Sequence, residues 1–435
     1  DMNAYFASVE QQYRPELRNR PIAVVPVQAE TTCCIAASYE AKAFGIKTGP
    51  LVSDARKMCP GIVMVEARHE LCVRVHHAIV AAVESCLPVD RVHSIDELSC
   101  RLSSADQPVA QAHRKACKVK EAIRRRVGEH LRCSVGLAPN TFLAKVASDM
   151  HKPDGLTMIA SEDLPHKLYP LDLIDLPGIG PRMSRRLVSR NIHTVEQLCA
   201  LSPNQLEDHW GGIVGKRFWH ALHGHDTPTS PTPRRTVGHS HVLPPELRNE
   251  KSAQGVLLRL LCKAAARMRR LGYSARRIDV YMSFRHGGGW HAGMSLNGCQ
   301  DTSSLIDSFI LLWKRRTTRG QPFKVGMVLS ELVAEPLATQ PLFAGERRQQ
   351  ALSRMMDRIN SRYGRDMVHV GTVHEFLDSA PTRIAFSNVP DLDDPANWDD
   401  ESEDLARLVE SGRSEPPELV TAYEPEAGDI MQDVL

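Results

Sequence analysis

The chain has 435 residues, of which 42% are hydrophobic and 24% are charged, so it is long enough for several domains with buried cores. No apolar run approaches the roughly 18 residues of a membrane-spanning helix, which excludes an integral membrane protein. The formal net charge is only +2, but residues 384–435 hold fifteen acids and two bases, a net of −13 that leaves +15 for the other 383 residues. A basic body with an acidic tail indicates a polyanionic partner such as nucleic acid.

The predicted elements begin with a mixed region at residues 1–160, where short apolar strands alternate with helical stretches, as in α+β domains. Residues 161–230 instead contain short helices broken by Pro and Gly. A Pro-rich basic stretch at 228–235 predicts an extended linker. The eleven cysteines that run through these regions form no C-x-x-C pair, so we interpret them as reduced thiols of a cytosolic protein.

A compact unit follows at about 240–335, with a helix–strand–strand–helix–strand order. Its first helix carries a basic stripe opposite its apolar face, formed by Arg259, Lys263, Arg267 and Arg270. The next strand alternates, with Ile278, Val280 and Met282 on one face and Arg277 and Arg285 on the other. A last helix is predicted near 346–363, and the acidic tail has too few apolar residues to pack, so we expect it to be disordered.

Three carboxylates could form a cation site. Mg²⁺ prefers such oxygens, but any one of Asp1, Asp96 and Glu97 taken alone is more often an ordinary surface residue. Neighbouring side chains on a strand point to opposite faces, so Asp96 and Glu97 can line one site only at a turn or strand end.

Four motifs contain or neighbour these acids. Residues 1–10 read DMNAYFASVE, residues 37–46 read ASYEAKAFGI, residues 94–97 read SIDE, and residues 134–155 contain SVGLA, AKVASD and KPDG. Together, in order and spacing, they resemble the Y family of translesion DNA polymerases over roughly residues 1–375. Lys42 and Asn3 are similar to the UmuC branch, whereas Ser38-Tyr39 and the opening motif are similar to the bacterial DinB, or Pol IV, branch.

The resemblance implies a catalytic centre. Two Mg²⁺ ions, for which Mn²⁺ can substitute, would be held by Asp1, Asp96, Glu97 and the backbone carbonyl of Met2. One ion, on the Glu97 side, would activate the primer 3′-hydroxyl, and the other would clamp the triphosphate.

The resemblance also implies nucleotide contacts at Tyr5, Phe6, Tyr39, Lys42 and Lys152. Phe6 would be the steric gate that leaves no room for a ribose 2′-hydroxyl. The alternative interpretation of Phe6 is a core aromatic at a strand–helix junction. The lysines and the phenol would neutralise the triphosphate.

Three further features would meet DNA or a partner. Gly178, Ile179 and Gly180 resemble the hairpin of a helix-hairpin-helix, which binds a backbone phosphate, although the same letters also serve as an ordinary turn. Arg277 and Arg285 would face the duplex backbone. Gln340, Leu342 and Phe343 partly resemble peptides that bind the sliding clamp, and a plain loop is the alternative.

The implied fold is a multidomain α+β right-hand polymerase with a ferredoxin-like palm, small fingers, a helical thumb with a helix-hairpin-helix and an α/β little finger. The expected bounds are 1–10 and 69–160 for the palm, 11–68 for the fingers, 161–230 for the thumb, 231–239 for a linker, 240–337 for the little finger, 338–383 for a clamp-motif loop and helix, and 384–435 for the acidic tail. In the family a strand precedes the residue matching Asp1. We therefore expect the natural protein to begin earlier and Asp1 to lie on a frayed terminus.

The function that follows is low-fidelity, template-directed DNA synthesis past damaged bases. Its partners would be primer–template DNA, deoxynucleoside triphosphates and the sliding clamp, and the protein would be a cytoplasmic bacterial monomer. A non-catalytic DNA-binding accessory protein is the alternative. A palm-type nucleotidyl cyclase is disfavoured, because it would have no use for the hairpin or the little finger.

Overall fold

The computed structural model describes residues 1–226, 233–339 and 341–379, together with Val389 and Val409. Its first region holds these elements: α1 (Tyr5–Tyr13), β1 (Ile22–Val25), β2 (Ala36–Ala37), α2 (Tyr39–Lys42), α3 (Val52–Met58) and β3 (Val63–Glu66). The strands form a small sheet in the order β2-β1-β3, in which β1 is antiparallel to β2 and parallel to β3. All four apolar residues of β1 are buried, so this sheet has a core on both faces.

The second region completes the palm. It contains α4 (His69–Glu84), β4 (Val89–Val92), β5 (Leu98–Cys100), α5 (Val109–Arg126), β6 (Val135–Leu137), α6 (Thr141–Met150) and β7 (Leu156–Met158). The strands form two separate ribbons, an antiparallel β4-β5 pair and a parallel β6-β7 pair. Residues 1–3 lie between the two ribbons, and Met2 pairs with Cys133 in an isolated antiparallel bridge, so both ribbons belong to one palm sheet.

The backbone of the first three residues joins the two ribbons. The Met2 amide donates to the Asp96 carbonyl (2.8 Å), and the Ser134 amide donates to the Asp1 carbonyl (2.8 Å). The Asn3 amide donates to the Arg132 carbonyl (2.9 Å). The expectation of a frayed Asp1 is therefore wrong, because backbone bonds on both sides hold this segment. A cavity of about 370 Å³ lies between α4, α5 and the ribbons and reaches Asp1.

Helix α6 lies directly against β6 because Gly136 has no side chain. A Cβ at Gly136 would lie 1.9 Å from the Ala144 carbonyl oxygen. The helix begins at Thr141, where the Asn140 side chain accepts a hydrogen bond from the Leu143 amide (2.8 Å). This close packing brings the exposed face of α6 to the end of the β4-β5 hairpin.

The thumb is helical, as predicted. It contains α7 (Pro181–Val188), α8 (Val195–Cys199), α9 (Pro203–Trp210) and α10 (Ile213–Leu222). Thr194 and Ser202 cap α8 and α9 through their side chains, with Gln197 and Gln205 completing both capping boxes. Polar residues at the helix starts therefore define where these short helices begin.

The little finger is a four-stranded antiparallel sheet with helices on its buried face. It contains β8 (Thr236–Val242), α11 (Glu250–Arg270), β9 (Tyr273–Phe284), β10 (Gly289–Cys299), α12 (Thr302–Lys314) and β11 (Pro322–Ala334), followed by α13 (Ala344–Tyr363). The strand order is β10-β9-β11-β8. Strand β8 begins inside the range expected for the linker, since Thr236 already pairs with Ser330 of β11.

Most of the acidic tail lies outside the described residues. Of this segment, Val389 and Val409 are described, and both lie against the palm core, where Val409 is 6% exposed. Among the described helices, none combines the length and apolar character needed to cross a membrane.

Candidate active site

The β4-β5 hairpin places two of the predicted carboxylates at its tip. The His93 and Ser94 amides both donate to the Glu97 carbonyl (2.9 and 3.1 Å), which closes a tight turn. The Ser94 hydroxyl donates to Asp96 Oδ1 (2.5 Å) and fixes that carboxylate. The turn lets Asp96 and Glu97 stand at one end of the palm, as the sequence required.

Asp1, Glu97 and a third acid, Asp149, surround one ammonium group. Lys145 Nζ on α6 lies 2.8 Å from Glu97 Oε1 and 3.0 Å from Asp149 Oδ1, and it also contacts Asp1 Oδ2. Burial lowers the pKa of Lys145, but the hydrogen bond to Glu97 and the charge of Asp149 outweigh burial and raise it. The ammonium is therefore firmly charged in this cluster.

Lys152 forms a second bridge. Its Nζ lies 2.7 Å from Asp1 Oδ1 and 2.7 Å from Asp149 Oδ1. Both carboxylate oxygens of Asp1 are thus occupied by lysines, and only 5% of its side chain is exposed. The predicted nucleotide contact Lys152 is brought to the predicted metal ligand Asp1.

The donor chemistry of this cluster fits Mg²⁺, which takes carboxylate oxygens. Within the ranges that the structure describes, however, no three His, Cys, Asp or Glu side chains are placed to hold a metal ion together. The reason is visible in the contacts: Glu97 and Asp1 point at Lys145, whereas Asp96 is bound to Ser94. The residue types fit the ion, and the observed arrangement closes around an ammonium.

Asn3 anchors the neighbouring loop. This residue is 2% exposed, and its side-chain amide donates to Ser134 Oγ (3.0 Å). Its Oδ1 accepts from the Asp154 amide (2.7 Å), which belongs to the KPDG segment that carries Lys152. The Asn3 side chain thus links the first motif to the loop that carries Lys152.

Tyr5 and Phe6 are buried on α1. The Tyr5 hydroxyl donates to the Cys72 carbonyl (2.5 Å), and burial raises the pKa of this phenol well above its usual value. The hydroxyl thus ties α1 to α4, and the nucleotide contact expected at Tyr5 stays a prediction. The Phe6 ring is 3% exposed and meets the His69 ring edge-on, with centroids 6.3 Å apart.

Tyr39 and Lys42 face Lys152 from the fingers. Lys42 Nζ lies 4.3 Å from the centre of the Tyr39 ring. Burial first, and then the charge of Lys152, lower the pKa of Lys42, whereas burial raises the pKa of Tyr39. The structure thus brings three of the predicted nucleotide contacts together beside Asp149.

Lys145 and Asp149 were missed as site residues, although both stand in the quoted AKVASD motif. The available signal was spacing, since positions 145 and 149 share one face of a helix and position 152 follows within the next turn. What the spacing does not reveal is that this face meets Glu97 and Asp1.

The thumb hairpin has the predicted backbone form. Gly178 has φ +92°, a conformation that suits glycine, and Gly180 precedes Pro181 at the start of α7. Ile179 is 3% exposed and belongs to the thumb core, so its side chain is structural. Any phosphate contact here would come from backbone amides.

Arg277 lies on β9 and points away from the sheet core, whereas Arg285 lies in the turn that follows β9 and not on the strand where the alternation predicted it. Arg277 is held by Asp279 through two hydrogen bonds of 2.7 Å, and Arg285 is exposed. The prediction of a solvent-facing basic stripe on α11 is wrong at its first position. Arg259 is 3% exposed and pairs with Asp366, because the chain after α13 folds over that face of α11.

Of the clamp-motif residues, Gln340 lies outside the described residues. Leu342 and Phe343 are 80% and 70% exposed. These are large apolar side chains left in water next to the start of α13.

Comparisons with known proteins agree in order along the chain. The impB/mucB/samB family model matches residues 1–149, the DNA polymerase-iota thumb domain matches 174–226, and the impB/mucB/samB C-terminal domain matches 234–342. A DNA polymerase IV of Moorella thermoacetica is 34% identical over 377 residues, covering 85% of this chain and 94% of that protein. A DNA polymerase IV of Pelotomaculum thermopropionicum is 31% identical, covering 84% and 92%.

Solved structures share the fold. A Y-family DNA polymerase chimera built on Dbh superposes with a TM-score of 0.66 at 23% identity, covering 77% of this chain and 98% of that one. The insertion ternary complex of Dbh DNA polymerase gives a TM-score of 0.51 with the same coverage. These matches confirm the predicted multidomain polymerase architecture with its helical thumb.

Proposed function

The chain belongs to the impB/mucB/samB family of Y-family DNA polymerases, and we propose that it extends a primer 3′ end on a DNA template, with low fidelity and past damaged bases. One observation carries the proposal. Residues from three of the four motifs meet at one place, where Asp1, Glu97 and Asp149 face Lys145 and Lys152. Tyr39 and Lys42 of the remaining motif lie beside Lys152. The non-catalytic alternative is not supported, because none of the metal-ligand carboxylates has been lost.

We propose that Asp1, Asp96, Glu97 and the Met2 carbonyl hold two Mg²⁺ ions, with Mn²⁺ as a substitute. When bound, these ions would activate the primer hydroxyl and neutralise the triphosphate. The lysines act on the nucleotide. Lys152 and Lys42 stand beside each other, and an incoming triphosphate would offer both ammonium groups a stronger partner than the present cluster does.

The low pKa of Lys42 supports this role. Partial burial, and then the neighbouring ammonium group of Lys152, oppose its charge in the free protein. A bound polyphosphate reverses that penalty, so part of the binding free energy comes from relieving repulsion. Tyr39 lies under Lys42 and orients it by a cation–π contact.

The proposed macromolecular partners are primer–template DNA and the sliding clamp. DNA would meet the Gly178–Gly180 hairpin through its backbone amides, Arg277 on the little-finger sheet, and Arg285 in the turn after β9. Leu342 and Phe343 would enter a pocket of the clamp, which would remove two exposed apolar side chains from water. We further propose that the protein acts as a monomer in the bacterial cytoplasm.

The function is tested by isosteric removal of charge at the hairpin tip. Asp96→Asn and Glu97→Gln should each lower primer extension by about a thousandfold or more, because ion coordination supplies several kcal/mol of transition-state stabilisation. DNA binding, measured by fluorescence anisotropy with a primed template, should stay within about threefold of the wild-type value, since the two acids make no part of the duplex surface.

The matched control is Asp163→Asn. This acid pairs with Lys167 at 2.9 Å on the surface, away from the cluster, and its loss should leave extension unchanged. Extension within tenfold of wild type in either hairpin variant would contradict the mechanism.

A further inference from the structure

We infer that Lys145 is a built-in counterion of the carboxylate cluster, which must withdraw before divalent ions bind and so sets their affinity. This inference deepens the proposed function and rests on it, because the cluster is an ion site only if the protein is a polymerase.

The contacts of Lys145 carry the inference. Its ammonium touches Glu97, Asp149 and Asp1, so one positive charge neutralises parts of three negative ones. The Lys145 side chain is 28% exposed, and that of Asp1 is 5% exposed, so water screens this group of charges only in part. A divalent ion that enters this cluster finds the oxygens of Asp1 and Glu97 already paired with Lys145, and the positive charge of Lys145 repels it.

Asp1 makes the conflict specific. Its Oδ2 is held by Lys145 and its Oδ1 by Lys152, so both oxygens already contact an ammonium. Lys152 has another destination, since the proposed function moves it to the triphosphate. Lys145 remains, and an ion can reach Asp1 Oδ2 and Glu97 only after Lys145 has moved aside.

Asp149 offers Lys145 a place to move to. It lies one helical turn along α6, and Lys145 Nζ is already 3.0 Å from its Oδ1. Lys152 also pairs with Asp149 at 2.7 Å, and departure of Lys152 to a nucleotide would leave Asp149 to Lys145 alone. Asp149 is thus a positioning residue, which holds the counterion near the site without blocking it.

Substitutions of Lys145 and of Asp149 should change the affinity for divalent ions in opposite directions. Lys145→Met removes the competing cation and should lower the Kd for Mn²⁺ at least about tenfold in the nucleotide-free protein. Asp149→Asn removes the resting place, so Lys145 stays on Asp1 and Glu97, and the Kd should rise several-fold. In the double variant the Asp149→Asn effect should largely disappear, because nothing remains to be held there.

The measurement is the free Mn²⁺ signal in electron paramagnetic resonance, titrated into the full chain without DNA or nucleotide. Lys167→Met is the matched control, since Lys167 pairs with Asp163 in the same i, i+4 spacing on the surface, and its Kd should not change. An unchanged or higher Kd in Lys145→Met would overturn the inference. If Asp149→Asn still raised the Kd for Mn²⁺ in the double variant, the rise would come from the loss of negative charge near the site. Asp149 would then not be a positioning residue for Lys145.

A second measurement on the wild-type protein covers the case in which Lys145→Met fails to fold. Acetylation of Lys145, followed by mass spectrometry, should become several-fold faster when Mg²⁺ is added, and that of Lys167 should not. An unchanged rate at Lys145 would overturn the inference. Failure of either measurement in a protein that extends primers would leave the proposed function intact.

Discussion

Phe6 shows how one residue can serve both the core and the site. Its ring is almost wholly buried on α1, with the Tyr5 ring 5.8 Å away and the His69 ring 6.3 Å away, both edge-on. Packing of this kind fixes the position of the ring, and a fixed ring is what exclusion of a 2′-hydroxyl needs. The core and steric-gate interpretations are therefore compatible.

We predict that Phe6→Leu lowers the preference for deoxynucleotides over ribonucleotides by about 10- to 100-fold. The loss of one steric contact in a binding pocket changes substrate selectivity by about this factor. The measurement is the ratio of kcat/KM values for the two nucleotide types. Tyr5→Phe is the control, because it loses only the hydrogen bond to Cys72 and should keep the ratio. A Phe6→Leu protein that is less stable but equally selective would leave Phe6 as a core residue alone.

Adjacent acids on a strand point to opposite faces, so Asp96 and Glu97 could line one site only at a turn or strand end. The structure has both residues at a turn. The sequence could not reveal Lys145 as their partner. That contact joins residues 48 positions apart and depends on Gly136 letting α6 approach β6. The i, i+4 spacing identifies a helix face, but tertiary packing decides what the face meets.

Among the elements, β8 carries a buried titratable group. His239 is partly buried against α11, where burial first and then the charges of Lys263 and Arg267 lower its pKa to about 4. No described group is hydrogen-bonded to its Nε2. The neutral ring is therefore part of the folded little finger, whereas the unfolded chain takes up a proton near pH 6.5.

We predict that the little finger loses stability as the pH falls from about 6.5 towards 4, because His239 binds a proton in the unfolded state but not in the folded state. With a folded pKa of about 4, the loss at pH 5 is about 2 kcal/mol. The loss of stability is measured by hydrogen exchange of the β8 and β11 amides at each pH, corrected for the intrinsic exchange rates. In His239→Asn the same amides should lose most of this pH dependence; an equally steep dependence would place its cause elsewhere.

The periodic elements were the most predictable. The alternation of β9 and the helices α11 and α13 follow from spacing of apolar residues, and the structure has them where the pattern indicates. The outer surface of α11 was not predictable in the same way. Arg259 reads as a solvent residue until Asp366 and the segment Gly371–Ser379 cover it, and no local pattern announces that a distant segment will do so.

For the whole molecule, the exposed pair Leu342 and Phe343 predicts an assembly. We expect Leu342→Ala with Phe343→Ala to abolish binding to the sliding clamp, measured by surface plasmon resonance with the clamp of the same organism, while basal primer extension stays unchanged. Leu337→Ala is the matched control, because Leu337 is 79% exposed but lies outside the motif. Clamp binding that survives the double change would reduce the segment to a plain loop.

The overall architecture was predictable because four motifs, in order and spacing, resemble those of one polymerase family, and the resemblance implies the family's fold. The strand pairing through which residues 1–3 join the two ribbons was not predictable, since it depends on backbone geometry that side-chain patterns do not specify. Likewise, charge composition separates a basic body from an acidic tail, but it does not predict that Val409 would lie in the palm core.

The join between the two ribbons has an evolutionary consequence. Residues 1–3 hold the palm together with main-chain atoms, through the Met2 amide and the Asp1 carbonyl, whereas Asp1 would serve the proposed chemistry through its side chain. A substitution can therefore erase the reactive group at Asp1 and leave the fastening intact. We expect a single codon change at Asp1 to produce an inactive protein that still folds and still binds DNA. The same separation leaves the reactive groups open to selection without endangering the scaffold.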